Sequence, residues 1–480
     1  MSLEPHLSPD PPLCVDLDHT LLKIDLLYES VFLLLKRSPF SFLSVPFWIL
    51  KGRSYLKRRV AEQIVFEVAH LPYRKDLVEH LRAEQQRGRR LVLVTAADEL
   101  IAQKIQEHLQ IFSQVIASNG LVNMKGAAKA EQLQRRFGKS QFDYAGDSRA
   151  DLEVWRWARR AIVVSNSERF IATVNALSPV EKVFPKGNGQ LRAIIRASRP
   201  HQWAKNLLVF VPVVTAHRLR DVKALFDGSI AFLSFCLIAS CVYLLNDILD
   251  LQSDRAHWLK CSRGLASGQL SILTAVALSA VLLSGAIALG LLSGLTFIAI
   301  LAIYLCSNIA YSLWWKRVVM LDVVVLACFY ALRLLAGGAA TKIAISDWLL
   351  AFAVFFFFCL AIVKRYSELR GQITLQLPEA AGRGYRQGDL DAIGTFGVAS
   401  GMIAVLIIIL YVMSPDVRVL YQHPTLLLLL CPLFLYWITR LWVKTRRGEM
   451  PQDPLTFALT DRVSYLTGLL AAAVLYLAAI

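Results

Sequence analysis

Residues 243–254 read Tyr-Leu-Leu-Asn-Asp-Ile-Leu-Asp-Leu-Gln-Ser-Asp and close an apolar run, 225–246, that is long enough to cross a bilayer. Offsets of three and four place Asp247, Asp250 and Asp254 on one face of a helix. Three adjacent carboxylates repel unless a counter-charge lies among them, and hard oxygen donors of this kind suit Mg²⁺. Bases follow at once in His257, Lys260 and Arg263. Metal beside basic donors is what a departing pyrophosphate needs. A solvated loop at a membrane boundary also carries charge, but it has no reason to align three acids.

Outward from this stretch, nine apolar segments approach the length needed for about 30 Å of hydrocarbon. They cover roughly 206–216, 225–246, 269–291, 294–313, 318–339, 347–366, 392–413, 423–441 and 463–480. The 480-residue chain is 56% hydrophobic and only 18% charged, which excludes a wholly soluble enzyme, a disordered chain and a disulfide scaffold. Eight cysteines form neither C-x-x-C pairs nor zinc spacing. The +16 charge points to cytoplasmic loops and anionic head groups; there is no nucleic-acid motif, and no nucleic-acid partner is expected. Loops after the even-numbered segments hold fifteen Lys and Arg, Arg383 among them. The opposite loops hold five: Arg218, Arg220, Lys223, Lys342 and Arg418. With an N-terminus MSLEPHLSPDPPL that lacks signal architecture, this bias places the loops beside the acids in the cytoplasm and the C-terminus outside.

Further charged groups gather at the same ends. Tyr311, Lys316 and Asp322 bridge segments four and five, and Arg333 lies deeper in the fifth, where an ionisable group is costly and therefore expected to be functional. Lys364, Arg365 and Glu368 end segment six, and Arg199-Pro200-His201-Gln202-Trp203-Ala204-Lys205-Asn206 enters segment one. Trp203 reads as an interfacial anchor, and Asp461 with Arg462 as a structural pair.

The chain before residue 178 has a different texture. β-rich runs at 13–17, 90–96, 115–118, 142–145 and 161–165 alternate with helical spacing at 127–137 and 151–158, which predicts a parallel sheet covered by helices. Residues 23–88 are too long for one crossover and read as a helical insertion. Within it 40–50 is apolar, holds Pro46, follows Pro39 and precedes Lys51, Arg53, Lys57, Arg58 and Arg59. An amphipathic cap helix fits this pattern, and so does a cap that touches the bilayer. Residues 178–189, SPVEKVFPKGNG, read as a linker, and 191–199 as a basic helix lying on the membrane surface. The domains are thus 1–177, a connecting 178–199 and a membrane domain 200–480.

Within 12–175, Asp16 and Asp18 lie two apart just past an apolar strand, where both can address one ligand. A strand ending in Thr95 follows, then Lys129 opening a helix, then Gly146-Asp147-Ser148-Arg149-Ala150-Asp151 after another strand. Lys125 competes with Lys129, Thr95 also suits a plain strand end, and Asp151 a helix N-terminal acid. In this order the four motifs resemble the haloacid-dehalogenase-like phosphohydrolases, in the style of phosphoserine phosphatases with a helical cap. The resemblance implies a Rossmann-like α/β domain with Asp16 as nucleophile, Asp18 as general acid and base, and Thr95 and Lys129 on phosphoryl oxygens. It further implies Mg²⁺ held by Asp16, Asp147 and the Asp18 carbonyl, with Asp151 orienting Lys129 or the metal shell.

The motif N-D-x-x-D-x-x-x-D from Asn246 to Asp254, within nine apolar segments, resembles the UbiA superfamily of intramembrane prenyltransferases over about 195–480, an all-α transmembrane bundle. R-P-x-Q-W-x-K-N, the His257, Lys260, Arg263 tail and K-R-x-x-E-L from Lys364 look most like its decaprenyl-phosphate phosphoribosyltransferases, although Trp258 and Gly264 stand where Pro is expected. The second D-x-x-x-D of aromatic prenyltransferases is missing, because Leu326 follows Asp322 by four. The resemblance implies Mg²⁺ on Asp247, Asp250 and Asp254. It implies substrate contacts from Lys205, Asn246, His257, Lys260, Arg263, Tyr311, Lys316, Asp322, Arg333, Lys364 and Arg365.

The expected function is transfer of 5-phosphoribose from phosphoribosyl pyrophosphate to a polyprenyl phosphate, with pyrophosphate released. The N-terminal domain then removes the 5′-phosphate. Three rivals stand beside it: a UbiA-type enzyme using prenyl pyrophosphate on an aromatic quinone or haem precursor, with an accessory phosphatase domain; a phosphatase domain that is regulatory and serves an unrelated phosphate; and a non-catalytic lipid-phosphate binding or flipping protein. The last should place its charges at the membrane midplane rather than at one interface. Polyprenyl length and oligomeric state, homo-oligomers included, are not legible.

Overall fold

The computed structural model describes residues 10–187, 189–374, 384–450 and 454–480. The N-terminal stretch 1–9, the linker's Asn188 and Arg383 therefore lie outside the described residues. The chain divides into two compact units, one of 1–197 with 247–277 and one of 198–246 with 278–480. This departs from the expected boundary at 200, because the acidic stretch beginning at Asp247 groups with the N-terminal unit.

That first unit is built on six parallel strands: β1 (Leu13–Val15), β2 (Leu91–Asp98), β3 (Gln114–Ser118), β4 (Asp143–Gly146), β5 (Ala161–Val164) and β6 (Val180–Phe184). Their order is β3-β2-β1-β4-β5-β6. Successive side chains take opposite faces. Leu13, Val15, Leu91, Leu93, Ala145, Ile162 and Val164 enter one core, while Cys14, Val92, Val94, Tyr144, Ala161 and Val163 enter the other. Strands buried on both faces need continuous apolar runs, which is how five of them were legible. The sixth corrects the linker reading. Residues 180–184 pair with β5, and their mostly exposed side chains made an edge strand look like a spacer.

The insertion after β1 holds helices Leu26–Arg37, Pro39–Phe42, Val45–Leu50 and Arg53–Gln63; Lys75–Gln86 then leads into β2. The cap is therefore 26–63 and not the whole of 23–88.

Among the described residues eight helices are long and apolar enough to span a membrane, from Val222–Leu249 to Arg462–Ala479. The ninth expected segment, 206–216, is instead the end of a 3₁₀ stretch Pro200–Phe210 joined to a five-residue helix Val211–Thr215. Pro212 has no N–H to donate, which disfavours one continuous α-helix across this run. The 3₁₀ stretch packs closely on the helix Leu321–Thr341: a Cβ at Gly337 would lie 2.1 Å from the Val209 carbonyl oxygen. Such small residues let helix backbones approach inside membranes.

Candidate functional site

In the first unit the chain runs from β1 to β2 and β3 on one side and to β4, β5 and β6 on the other. Ligands of such sheets bind at the carboxyl ends where the order reverses, here between β1 and β4. Asp16 leaves β1 at that point, its N–H donating to the Ala145 carbonyl of β4 at 2.9 Å. Asp147 leaves β4 beside it. Carboxylate oxygens of Asp16, Asp147 and Asp151 lie within 4.8 Å of one another and all three residues are buried.

Two lysines answer this charge. Lys129 Nζ donates to Asp16 Oδ1 at 2.6 Å and to the Tyr144 hydroxyl at 2.9 Å, and lies 3.5 Å from Asp151 Oδ1. Lys125 is exposed, so of the two competing lysines it is Lys129 that enters the cluster. Lys186 Nζ donates to Asp147 Oδ2 at 2.5 Å. Asp151 accepts from Tyr144 Oη at 2.7 Å and from Ser148 Oγ at 2.7 Å, so its oxygens are committed to orienting neighbours. This leaves Asp16 and Asp147 as the better donors for Mg²⁺, and the excess of buried carboxylate fits a divalent cation. Gly146 is obligatory, because a Cβ there would meet the Tyr144 ring at 2.8 Å and Asp151 Cγ at 3.0 Å. Thr95 is fully buried and its Oγ1 accepts from Ala97 N–H at 2.9 Å.

Burial pushes the Asp16 carboxyl up to about 7 against the pull of Lys129. Burial, with Asp25 adding, pushes Asp18 up to about 8. Burial also opposes the charge on Lys129, but Asp16 and Asp151 outweigh it and hold the ammonium above its ordinary value. Burial thus favours the protonated form of Asp18. If this site works as the phosphohydrolase its motifs resemble, hydrolysis of an alkyl phosphate such as ribose 5-phosphate is expected to fall about tenfold per unit as pH rises past about 8. Asp18→Asn should remove that limb and lower the rate by about 10²–10⁴. With p-nitrophenyl phosphate, whose leaving group needs no proton, both effects should shrink; stopped assays across pH 6–10 check this.

The same unit holds the acidic stretch. The helix Val222–Leu249 ends one residue before Asp250, which opens the next helix, Leu251–Ala256. The expected single helical face is therefore broken at Asp250. Arg263 Nη1 reaches Asp247 Oδ1 at 3.2 Å and Asp254 Oδ2 at 2.7 Å, so one guanidinium counter-charge lies between two of the three acids. Among the described residues the close three-acid cluster is the one at Asp16, and Asp247, Asp250 and Asp254 do not form another. His257 ends the second helix, accepting from Leu259 N–H at 3.2 Å, and Lys260 opens a 3₁₀ turn; both are half-buried.

A second guanidinium fixes this stretch within the unit. Arg255 forms a two-pronged pair with Glu29 of the cap, at 2.7 and 2.5 Å, and its Nε donates to the Ala266 carbonyl at 3.1 Å. Both side chains are about nineteen-twentieths buried, at 4% and 6% exposure. Removing one partner of such a pair strands the other charge and costs about 3–5 kcal/mol. Glu29→Gln should therefore lower the unfolding midpoint of the purified protein, and Glu29→Gln with Arg255→Met should recover much of the loss, as measured by thermal unfolding in detergent.

The second unit holds the remaining residues in two groups. Arg333 donates to Asn206 Oδ1 at 2.8 Å, the Phe329 carbonyl at 2.6 Å and the Tyr304 hydroxyl at 3.1 Å, with Phe235 and Tyr330 rings over it. With these three contacts it clamps the 3₁₀ stretch to two helices. Fully buried Asp322 contacts Arg365 Nη2 at 2.6 Å and accepts from Tyr385; Arg365 also pairs with Glu368. Asn246 accepts from Ser312 Oγ at 2.5 Å, and Tyr311 stacks edge-on with Phe329. Lys205, Lys316 and Lys364 are half-buried. Asp461 pairs with Arg440 at 2.8 and 2.9 Å, not with Arg462 as expected.

The eight apolar helices of spanning length among the described residues define an integral multi-pass membrane protein, and its buried acid–arginine clusters suit work on charged groups. Residues 208–460 match the UbiA prenyltransferase family. The uncharacterized protein y4nM of Sinorhizobium fredii is 35% identical over 97% of this chain and 91% of its own length, so the match runs through both units. The decaprenyl-phosphate phosphoribosyltransferase of Corynebacterium glutamicum is 33% identical over 37% of this chain and 54% of its own. A structure of a UbiA homologue from Archaeoglobus fulgidus bound to GPP and Mg²⁺ is similar at a TM-score of 0.46 and 16% identity, over 60% of this chain and 98% of that one. The chain belongs to the UbiA prenyltransferase family.

Proposed function

We propose that this chain moves 5-phosphoribose from phosphoribosyl pyrophosphate to a polyprenyl phosphate and then removes the 5′-phosphate through a haloacid-dehalogenase-like domain. The observation that carries the second step is the convergence of Asp16, Lys129 and Asp147 at the switch point of the sheet. For the first step, support comes from the Asp247–Arg263–Asp254 bridge together with the named phosphoribosyltransferase relative.

In the phosphatase step an Asp16 oxygen attacks phosphorus and the P–O bond to the sugar breaks. The leaving oxygen takes the Asp18 proton, giving an aspartyl-phosphate and the free 5′-hydroxyl. Water then attacks phosphorus, losing its proton to Asp18, so that inorganic phosphate departs and both aspartates are restored. Lys129 neutralises phosphoryl oxygens while Asp151 and Tyr144 fix its position. Mg²⁺, held by Asp16 and Asp147, would shield phosphoryl charge from the attacking carboxylate. In the transfer step Asp247, Asp250 and Asp254 would hold Mg²⁺ on the pyrophosphate, and Arg263, Lys260 and His257 would take its developing charge. The positive-inside bias supports a cytoplasmic face for both sites.

Donor choice tests this reading. Purified protein in nanodiscs with Mg²⁺ and polyprenyl phosphate should transfer label to lipid from phosphoribosyl pyrophosphate. Label arriving only from a prenyl pyrophosphate on an aromatic acceptor would replace the reading with the ordinary prenyl-transfer one.

A further inference from the structure

The cap carries an apolar face with nothing of its own unit upon it. In Pro39–Phe42, Val45–Leu50 and the turn between them, Phe40, Leu43, Phe47, Ile49 and Leu50 are 87%, 69%, 69%, 54% and 84% exposed. Val45 is buried, and Trp48 packs against the core, so the segment is seated by one side and bare on the other. Five large apolar side chains in water within eleven residues form the kind of patch that marks an interaction site.

Charge indicates what meets it. Between Glu29 and Glu62 there is no acidic residue, whereas Lys36, Arg37, Lys51, Arg53, Lys57, Arg58 and Arg59 all fall there. Arg58 and Arg59 pair with Glu62, and Lys57 turns inward. Arg37, Lys51 and Arg53 stand exposed at the two margins of the apolar segment. Apolar side chains flanked by bases, with acids excluded, suit the interface of an anionic bilayer, where acyl chains accept the former and head groups the latter. Pro39 and Pro46 keep the helices short, at four and six residues, far below spanning length. The next helix, Arg53–Gln63, sends Lys57 Nζ to the Ala96 carbonyl at 2.6 Å, one residue from Thr95. The bare face therefore adjoins the element that borders the phosphatase site.

We propose that residues 40–50 insert into the head-group region of an anionic membrane leaflet, and that the phosphatase site accordingly takes phosphate monoesters carried on lipid. The substrate half of this statement rests on the proposed function; the membrane contact does not.

The test uses the full chain in nanodiscs of phosphatidylglycerol or phosphatidylcholine. A photo-crosslinking benzoylphenylalanine replaces Phe47 or, as control, the exposed Lys104. Position 47 should label phospholipid about tenfold more than position 104, and more in phosphatidylglycerol. The variant Phe40→Ser, Phe47→Ser, Leu50→Ser should release phosphate from the lipid-borne 5′-phosphate about tenfold more slowly, with p-nitrophenyl phosphate hydrolysis unchanged. Equal labelling at both positions, crosslinks to protein instead of lipid, or parallel loss of both activities would overturn the proposal. Lipid labelling from the crosslinker at position 47, together with wild-type protein that hydrolyses neither substrate, would refute the phosphatase reading and the substrate half with it, leaving the membrane contact standing.

Discussion

Replacing Asp16 by Asn is expected to abolish phosphate release from both the phosphoribosyl lipid and p-nitrophenyl phosphate, by about 10³-fold or more, while leaving label transfer to lipid intact. An amide is a poor nucleophile toward phosphorus and cannot form the acyl-phosphate, so this loss exceeds that from removing a general acid. The substitution is close to isosteric. Lys129 would lose its 2.6 Å partner but keep Tyr144 and Asp151, so the site should hold its shape. Phosphate assay beside lipid extraction checks both halves. Loss of lipid labelling in the same variant would mean that the two chemistries share this carboxylate, contrary to the account.

The converse is expected of Asp250→Asn, with lipid labelling falling by about 10²-fold or more and p-nitrophenyl phosphate hydrolysis preserved. Asp247 and Asp254 are already engaged by Arg263, whose single guanidinium offsets about one of the three negative charges. Asp250, at the break between two helices, adds one of the two negative charges left over for a divalent ion on pyrophosphate. Loss of metal affinity predicts a partial rescue by raised Mg²⁺, which a purely structural defect would not show. Titrating Mg²⁺ from micromolar to tens of millimolar in the labelling assay separates the two.

Much of this architecture was legible because parallel strands and membrane helices both require long apolar runs. β1 to β5 and seven of the nine apolar segments were plain in the sequence for that reason. The eighth, 423–441, was placed correctly too, although its start is a 3₁₀ turn from Pro424 to Leu429. Segment 206–216 failed because hydropathy counts residues without regard to Pro212. β6 failed because an edge strand with solvent on its side chains resembles a linker, and with it went Lys186, which reaches Asp147. Tyr144 was missed as a core aromatic; a phenol two residues before Gly146-Asp147 was the available signal. Arg333 was legible as costly in a membrane, but its partners were not, since Asn206 and Tyr304 are remote in sequence. The grouping of 247–277 with the first unit rests on contacts such as Glu29 with Arg255, more than two hundred residues apart, which no local pattern reveals.

The most direct measurement of the central claim uses phosphoribosyl pyrophosphate labelled with ¹⁴C in the ribose and ³²P at the 5′-phosphate, incubated with the purified chain, Mg²⁺ and polyprenyl phosphate in nanodiscs. The account predicts ¹⁴C accumulating in the lipid phase, followed by ³²P appearing as inorganic phosphate in the aqueous phase, with only the second step lost in Asp16→Asn. Lipid that keeps ¹⁴C and ³²P in equal amounts in wild type, or that takes up neither, would contradict it.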